Sequence, residues 1–77
     1  MQSVASRIRE LREDNDYNQK ELAERLGTSQ QAISLYEKGL RELSYELLIG
    51  YAKLFRVTTD YILCLSDVPQ KGWISEK

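Results

Sequence analysis

The sequence predicts an all-α domain built from five short helices, and three observations support this. Apolar residues recur at helical spacing in several short segments, beginning with Val4, Ile8 and Leu11. Residues that favour helix ends, such as Asn18 and Gly27, separate these segments. No segment of the sequence reads as a strand. A chain of 77 residues fits one small domain and leaves no room for a second.

The first helix is predicted from Val4, Ile8 and Leu11, whose spacing places them on one face. Arg7 and the other charged residues of this segment fall on other faces. The run Asp14-Asn15-Asp16 ends the helix, because these residue types prefer turns to helix interiors.

The second and third helices are predicted to be joined by a tight turn. Asn18 with Glu21 three positions later resembles a capping box, and Gly27 is the expected left-handed C-cap of the same helix. Ser29 is placed to cap the third helix, which Gly39 closes. The inner faces of both helices are apolar, with Leu22, Ala23 and Leu26 in the second and Ala32, Ile33 and Tyr36 in the third.

The fourth helix is predicted to start after a Ser44 cap and to run to about Phe55. Thr58 or Thr59 caps a short fifth helix, which Asp67-Val68-Pro69 ends because proline cannot continue a helix. The expected core residues are Leu48, Tyr51, Ala52 and Phe55 in the fourth helix and Tyr61, Ile62 and Leu65 in the fifth. The helical domain therefore covers residues 1–66, followed by a short C-terminal tail over residues 67–77.

The composition argues against catalysis. The chain has no histidine and a single cysteine, so it lacks the commonest general base and any intrachain disulfide, and cysteine-based metal sites are nearly excluded. Cys64 lies in an apolar run and is expected to be a buried or half-buried small hydrophobe. We expect no enzyme, no metal and no cofactor.

The cellular location follows from two further features of the sequence. No apolar run approaches the roughly 18 residues that a membrane-spanning helix needs. The N-terminal residues lack the apolar stretch of a secretion signal. A cytoplasmic protein with no membrane partner is the expectation.

Two glutamines, Gln30 and Gln31, open the third helix. Glutamine can hydrogen-bond an adenine edge through two bonds in the major groove of DNA. A helix N-terminus that presents such side chains is how a helix-turn-helix protein reads DNA. This favours sequence-specific DNA binding over the alternative that both glutamines are merely solvated polar residues.

Four motifs, each weak by itself, form a specific combination: Arg9-Glu10-Leu11-Arg12, Asn18-Gln19-Lys20-Glu21-Leu22-Ala23, Ile33-Ser34-Leu35-Tyr36-Glu37-Lys38-Gly39 and Val57-Thr58-Thr59-Asp60-Tyr61-Ile62-Leu63. On these motifs the chain resembles the Cro/CI-type helix-turn-helix proteins, or Xre family, of phage repressors and small bacterial regulators. The resemblance runs from about Ile8 to Leu65. It implies a compact five-helix, lambda-repressor-like DNA-binding domain.

The resemblance also implies a role for particular residues. It places base contacts at the start and on the exposed face of the third helix, at Gln30, Gln31, Ser34 and Leu35. It places phosphate contacts at Gln19, Ser29, Lys38 and Arg41, and Gln19 would also buttress the first recognition glutamine. It pairs Arg12 with Glu37 in a largely buried salt bridge, a structural role.

Two of these assignments have alternatives. Leu35 could pack on a thymine methyl group, or it could be partly buried against Leu40 or the fourth helix. Lys38 and Arg41 could clamp phosphates, or they could belong to a charged loop that keeps the surface soluble.

The chain departs from the family pattern before and within the fourth helix. Leu43 stands where many members have proline, and apolar residues spread beyond one stripe of the helix, around Gly50. One explanation is a wide core; the favoured one is a second subunit that packs closely over Gly50. The dimer-interface candidates are Leu47, Gly50 and Leu54, with Trp73 and Ile74 from the tail.

We therefore expect a transcriptional regulator, a repressor that needs no cofactor because no effector domain follows the helix-turn-helix. One recognition helix reads few base pairs, so a homodimer on a palindromic operator, with half-sites about 34 Å apart, is expected. The net charge of −1 argues for weak non-specific binding more than against specific binding. The alternative is an antitoxin-like or anti-regulator module with a protein partner, since a fold does not fix function.

Overall fold

The computed structural model describes residues 3–66, and within them the chain forms five helices and no strand. The elements are α1 (Val4–Asp14), α2 (Gln19–Leu26), α3 (Gln30–Glu37), α4 (Tyr45–Phe55) and α5 (Thr59–Ile62). The predicted all-α, five-helix class is confirmed. The predicted tail, with Trp73 and Ile74, lies outside the described residues.

Each helix begins after a residue whose side chain accepts a hydrogen bond from the backbone N–H three positions later. Asn18 and Glu21 form the predicted capping box, with distances of 2.7 and 3.0 Å. Ser29 caps α3 and Ser44 caps α4, as predicted, and Thr58 rather than Thr59 caps α5. The cap of α1, where Ser3 and Ser6 bond reciprocally, is not among the caps predicted from the sequence.

The backbone is left-handed at or just after the ends of α2, α3 and α4. Gly27 and Gly39 have φ angles of 71° and 74°, so both predicted glycine ends adopt the left-handed conformation that glycine tolerates best. Arg56, which ends α4, has a φ of 59° without being a glycine.

The predicted end of the fifth helix is wrong. α5 stops at Ile62, well before Asp67-Val68-Pro69. Cys64 adopts a left-handed φ of 64°, and the Leu65 N–H donates back to the Asp60 carbonyl at 2.8 Å, which closes the turn. Leu65 consequently leaves the core and is 74% exposed, whereas Cys64 is half-buried as expected.

The core lies where the inner faces of the helices meet. α2 packs against α3, α1 against α3 and α5, and α4 against α2 and α5. Each helix contributes one fully buried side chain to the core: Ile8, Leu22, Ile33, Tyr51 and Ile62. All five belong to the predicted core, so helical spacing located the centre of the domain correctly.

The prediction that Arg7 lies outside the buried face of α1 is wrong, since Arg7 is buried together with Ile8 and Leu11. It is 5% exposed, and its Nη1 donates to the Tyr61 carbonyl at 2.9 Å and to the Ser66 carbonyl at 3.3 Å. The guanidinium carbon lies 4.1 Å from the centre of the Tyr61 ring. Arg7 thus fastens α1 to α5 and to the segment that follows it.

Gly50 has a neighbour within the chain. A Cβ at this position would lie 3.3 Å from Cδ2 of Leu26, so α2 accounts for the close approach that was expected from a second subunit. Leu47 and Leu54, on the same stripe of α4, are half-buried against the core. The role of these three residues in a dimer stays a prediction, while the exposed apolar side chains of α4 are Tyr45 and Ile49.

Tyr51 is fully buried, and its hydroxyl has no hydrogen-bond partner in the part of the chain that the structure describes. We expect Tyr51→Phe to stabilise the domain by about 1 kcal/mol or more, because it removes an unpaired polar group and keeps the ring. Urea unfolding at pH 7 measures this, with Tyr45→Phe on the exposed side of α4 as the control. A loss of stability in Tyr51→Phe alone would show that the hydroxyl is bonded.

The same variant has an expected pH dependence. Burial, followed by the charge of Glu37, raises the pKa of Tyr51 above its ordinary value of 10.0. The folded state therefore resists ionisation, and the stability of the wild type falls as the pH rises above about 10. The advantage of Tyr51→Phe should grow over that range.

Candidate DNA-binding surface

α2 and α3 form a helix-turn-helix unit. Three residues, Gly27-Thr28-Ser29, connect the end of α2 to the start of α3. The Thr28 N–H donates to the Ala23 carbonyl at 2.9 Å, and the Ser29 hydroxyl accepts from the Ala32 N–H at 3.0 Å. A turn this short fixes the angle between the two helices.

The two faces of α3 have different environments. Ala32, Ile33 and Tyr36 are buried, so the inner face is anchored to the core. Gln30 and Gln31 are exposed at the N-terminal end of the same helix. The glutamine side chains are thus presented to solvent on a helix that cannot rotate without opening the core.

Ser34 and Leu35 occupy the next turn of α3, and both are half-buried. Leu35 is therefore less exposed than Gln30 and Gln31. Leu40, one of its suggested partners, is 71% exposed. Leu35 keeps accessible surface for a thymine methyl group, and that role stays a prediction.

An ion pair joins α1 to the end of α3. Arg12 Nε donates to Glu37 Oε2 at 2.7 Å, and Arg12 Nη2 donates to Oε1 at 3.0 Å. The two side chains are 13% and 3% exposed, so the predicted salt bridge is formed and largely buried. The hydrogen bond to Glu37 raises the pKa of Arg12 above its ordinary value. This pair holds α3 against α1.

Gln19 contributes to the same network. Its Nε2 donates to Glu37 Oε1 at 3.1 Å, and its side chain is half-buried. The family resemblance implies that this side chain contacts a phosphate and buttresses Gln30; in the structure its amide N–H is directed to Glu37. At the first position of α2, the backbone N–H of Gln19 still belongs to the group of helix-start donors that favour an anion.

The remaining predicted phosphate contacts lie near the ends of α3. Ser29 is exposed, and because its oxygen accepts the capping bond, its hydrogen can still be donated to a phosphate. Lys38 and Arg41 are exposed just after the helix. These three residues lie at the two ends of the helix that carries the glutamines.

A shallow cleft runs between α1, α2 and α3. Six residues line it: Arg9, Arg12, Gln19, Ser34, Glu37 and Lys38. It brings together residues that the sequence assigned to base contact, phosphate contact and structural pairing. It also contains Arg9, to which the sequence assigns no role. Its spacing could have revealed it, because Arg9 precedes Arg12 by three residues and therefore lies on the same face of α1.

Comparison with known proteins agrees with this geometry. Residues 8–62 match the family model described as "Helix-turn-helix". The HTH-type transcriptional regulator ImmR of Bacillus subtilis strain 168 is 35% identical over 70 residues, covering 91% of this chain and 55% of that protein. The P22 c2 repressor in complex with a synthetic operator superposes with a TM-score of 0.77 and 32% identity, covering 82% of this chain and 96% of that one.

A third relative is known with a protein partner. A chain of the SinR–SinI complex superposes with a TM-score of 0.72 and 26% identity, covering 78% of this chain and 59% of that one. The present chain spans about half the length of the curated relatives that it matches.

The fold and these similarities define a DNA-binding helix-turn-helix domain. The chain belongs to the helix-turn-helix family, in the Cro/CI-type or Xre group of transcriptional regulators. Because its relatives are transcriptional regulators, the prediction that it is not an enzyme is confirmed. Among residues 3–66 no helix could cross a membrane, and no group of three potential metal ligands is present.

Proposed function

We propose that this protein is a transcriptional repressor that binds a palindromic operator as a homodimer, with α3 in the major groove. Gln30 and Gln31 contact bases, and Ser34 and Leu35 complete the reading surface. Ser29, Lys38 and Arg41, with the N-terminus of α2 at Gln19, hold the phosphate backbone on either side.

One observation carries the proposal: the exposed glutamines stand on a helix whose inner face is buried. A reading side chain must be held in a fixed register to discriminate between bases. The turn at Gly27 and the buried pair of Arg12 with Glu37 supply that rigidity from both ends of α3. The P22 c2 repressor, of similar structure, is known in complex with an operator.

Two arguments support a homodimer. α3 has eight residues and is therefore only about 12 Å long, so one subunit reads few base pairs. The domain also exposes large apolar side chains before, within and after α4, namely Leu40, Tyr45, Ile49, Leu63 and Leu65. Exposed apolar surface of this kind marks interaction sites.

We expect Gln30→Ala and Gln31→Ala each to lower discrimination at one symmetric base pair by about 1–3 kcal/mol, because a bidentate contact to that base is lost. Selection from a randomised duplex pool at near-physiological salt measures the change. The wild type should return a palindrome, and each variant should relax one position in both half-sites.

Lys38→Ala is the matched control, since it removes a contact that carries no sequence information. It should weaken binding to all sequences alike and reduce the slope of log K against log salt concentration by about 0.9. If the glutamine variants instead behaved like Lys38→Ala, they would not be base-reading residues.

A second candidate is a protein-interaction module, antitoxin-like or anti-regulator in character. The exposed apolar residues Tyr45 and Ile49 favour it, as does the SinR–SinI complex among the structural relatives. The same selection separates the two candidates. A folded chain that enriched no sequence would favour the protein partner, and a toxin gene beside its own gene would agree.

A further inference from the structure

The cleft beside α3 contains a cation that the proposed contacts leave unused. Arg12 and Glu37 neutralise each other inside it. Arg9 and Lys38 are then the cations that remain among its lining residues. Lys38 is already assigned to phosphate, and Arg9 lies in the same concavity as Gln19 and Ser34. A DNA strand that reaches those residues passes beside Arg9.

Glu13 holds this arginine in the DNA-free protein. Arg9 Nε donates to Glu13 Oε2 at 3.1 Å, one helical turn along α1. The two side chains are 61% and 51% exposed, so a competing anion can reach both. The same carboxylate oxygen lies 3.9 Å from Arg12 Nη2. Glu13 is outside the cleft lining but neutralises the cation at its rim.

We propose that Arg9 is a further phosphate-contacting residue and that Glu13 lowers the affinity for DNA by competing for it. An exposed ion pair in water is weak, so the phosphate backbone, with its dense negative charge, can displace the carboxylate. Each encounter with DNA must first break the pair, and this penalty falls on every sequence. This penalty acts in the same direction as the net charge of −1, which also limits non-specific binding.

This inference rests on the docking of α3 proposed above, and its test uses the whole 77-residue chain. A fluorescent duplex of scrambled sequence is titrated by anisotropy between 50 and 200 mM salt. Glu13→Gln should bind more tightly than the wild type at low salt, because Arg9 is released. Its affinity should also fall more steeply than that of the wild type across that range, since salt screens the exposed Arg9–Glu13 pair and so removes the penalty that the wild type pays at low salt.

The control is Glu10→Gln, which makes the same charge change on the same helix outside the cleft lining. It should change the affinity less and leave the slope unaltered. Arg9→Met completes the design: in the Arg9→Met/Glu13→Gln double variant, the effect of Glu13→Gln should disappear. Coupling of this kind reports an interaction between the two side chains and not a general effect of charge.

Two results would overturn the inference alone. Glu13→Gln could match Glu10→Gln in affinity and slope, or its effect could persist without Arg9, while the wild type still selects a palindrome. A wild-type chain that bound no duplex would instead contradict the proposed docking, and this inference with it. Urea unfolding of each variant establishes that the domain is folded in every titration.

Discussion

Arg12→Met is expected to destabilise the domain by about 3–5 kcal/mol, because it leaves the Glu37 carboxylate buried without its cation. Glu37 is 3% exposed, and two hydrogen bonds from the Arg12 guanidinium satisfy its oxygens. Gln19, a neutral donor, cannot replace the lost charge. Urea unfolding measures the free-energy change, and DNA binding should fall with it, since α3 is no longer fixed to α1.

Arg9→Met is the matched control, because it breaks an ion pair on the same helix whose partners are exposed. Such a pair contributes about 1 kcal/mol at most, so this variant should stay close to the wild type in stability. The double variant Arg12→Met/Glu37→Leu should recover much of the loss, since two apolar groups leave no buried charge. Equal stability of Arg12→Met and Arg9→Met would contradict the structural role of the buried pair.

The second large effect is expected at Arg7. Arg7→Met should cost roughly 2–4 kcal/mol, because hydrogen bonds from a charged donor to two carbonyls are lost and a cation leaves the Tyr61 ring. Those carbonyls belong to Tyr61 and Ser66, so the attachment of α5 to α1 weakens in particular. Hydrogen exchange should show earlier opening of the segment after α4, in addition to the loss of global stability.

Arg25→Met controls for the loss of an arginine near a tyrosine. Its guanidinium carbon lies 5.7 Å from the centre of the Tyr17 ring, and the residue is exposed. A cation–π contact at an exposed site is worth about 0.5–1 kcal/mol, so the loss should be small. Arg7→Lys should recover only part of the stability, since an ammonium group lacks the planar fork of the guanidinium. A full recovery would mean that charge alone matters at this position.

The helix starts were the most predictable feature of the fold. Asn18, Ser29 and Ser44 cap their helices through local hydrogen bonds, which depend only on residues three positions apart. The end of α5 was not predictable in this way. The turn after α5 depends on a left-handed conformation at Cys64. Cysteine, unlike glycine, has no preference for this conformation, so the residue type does not predict it.

The candidate site shows the same division between local and distant interactions. Gln30 and Gln31 were expected to be exposed at a helix start, and they are. The direction of the Gln19 side chain depends on Glu37, eighteen residues away, so the neighbours of Gln19 along the chain did not reveal it. Arg9 entered the site only because α1 lies beside α3.

The sequence by itself determined the helical class, the caps and the residues at the centre of the core, because these follow from spacing and from hydrogen bonds within one turn. The tertiary structure decided which charged groups are buried and which neighbours they meet. Arg7 and Arg12 lie within one short helix, yet Arg7 fastens α5 and Arg12 fixes α3. Those roles depend on contacts with residues 54 and 25 positions away along the chain, and such contacts do not follow from the residues around each arginine.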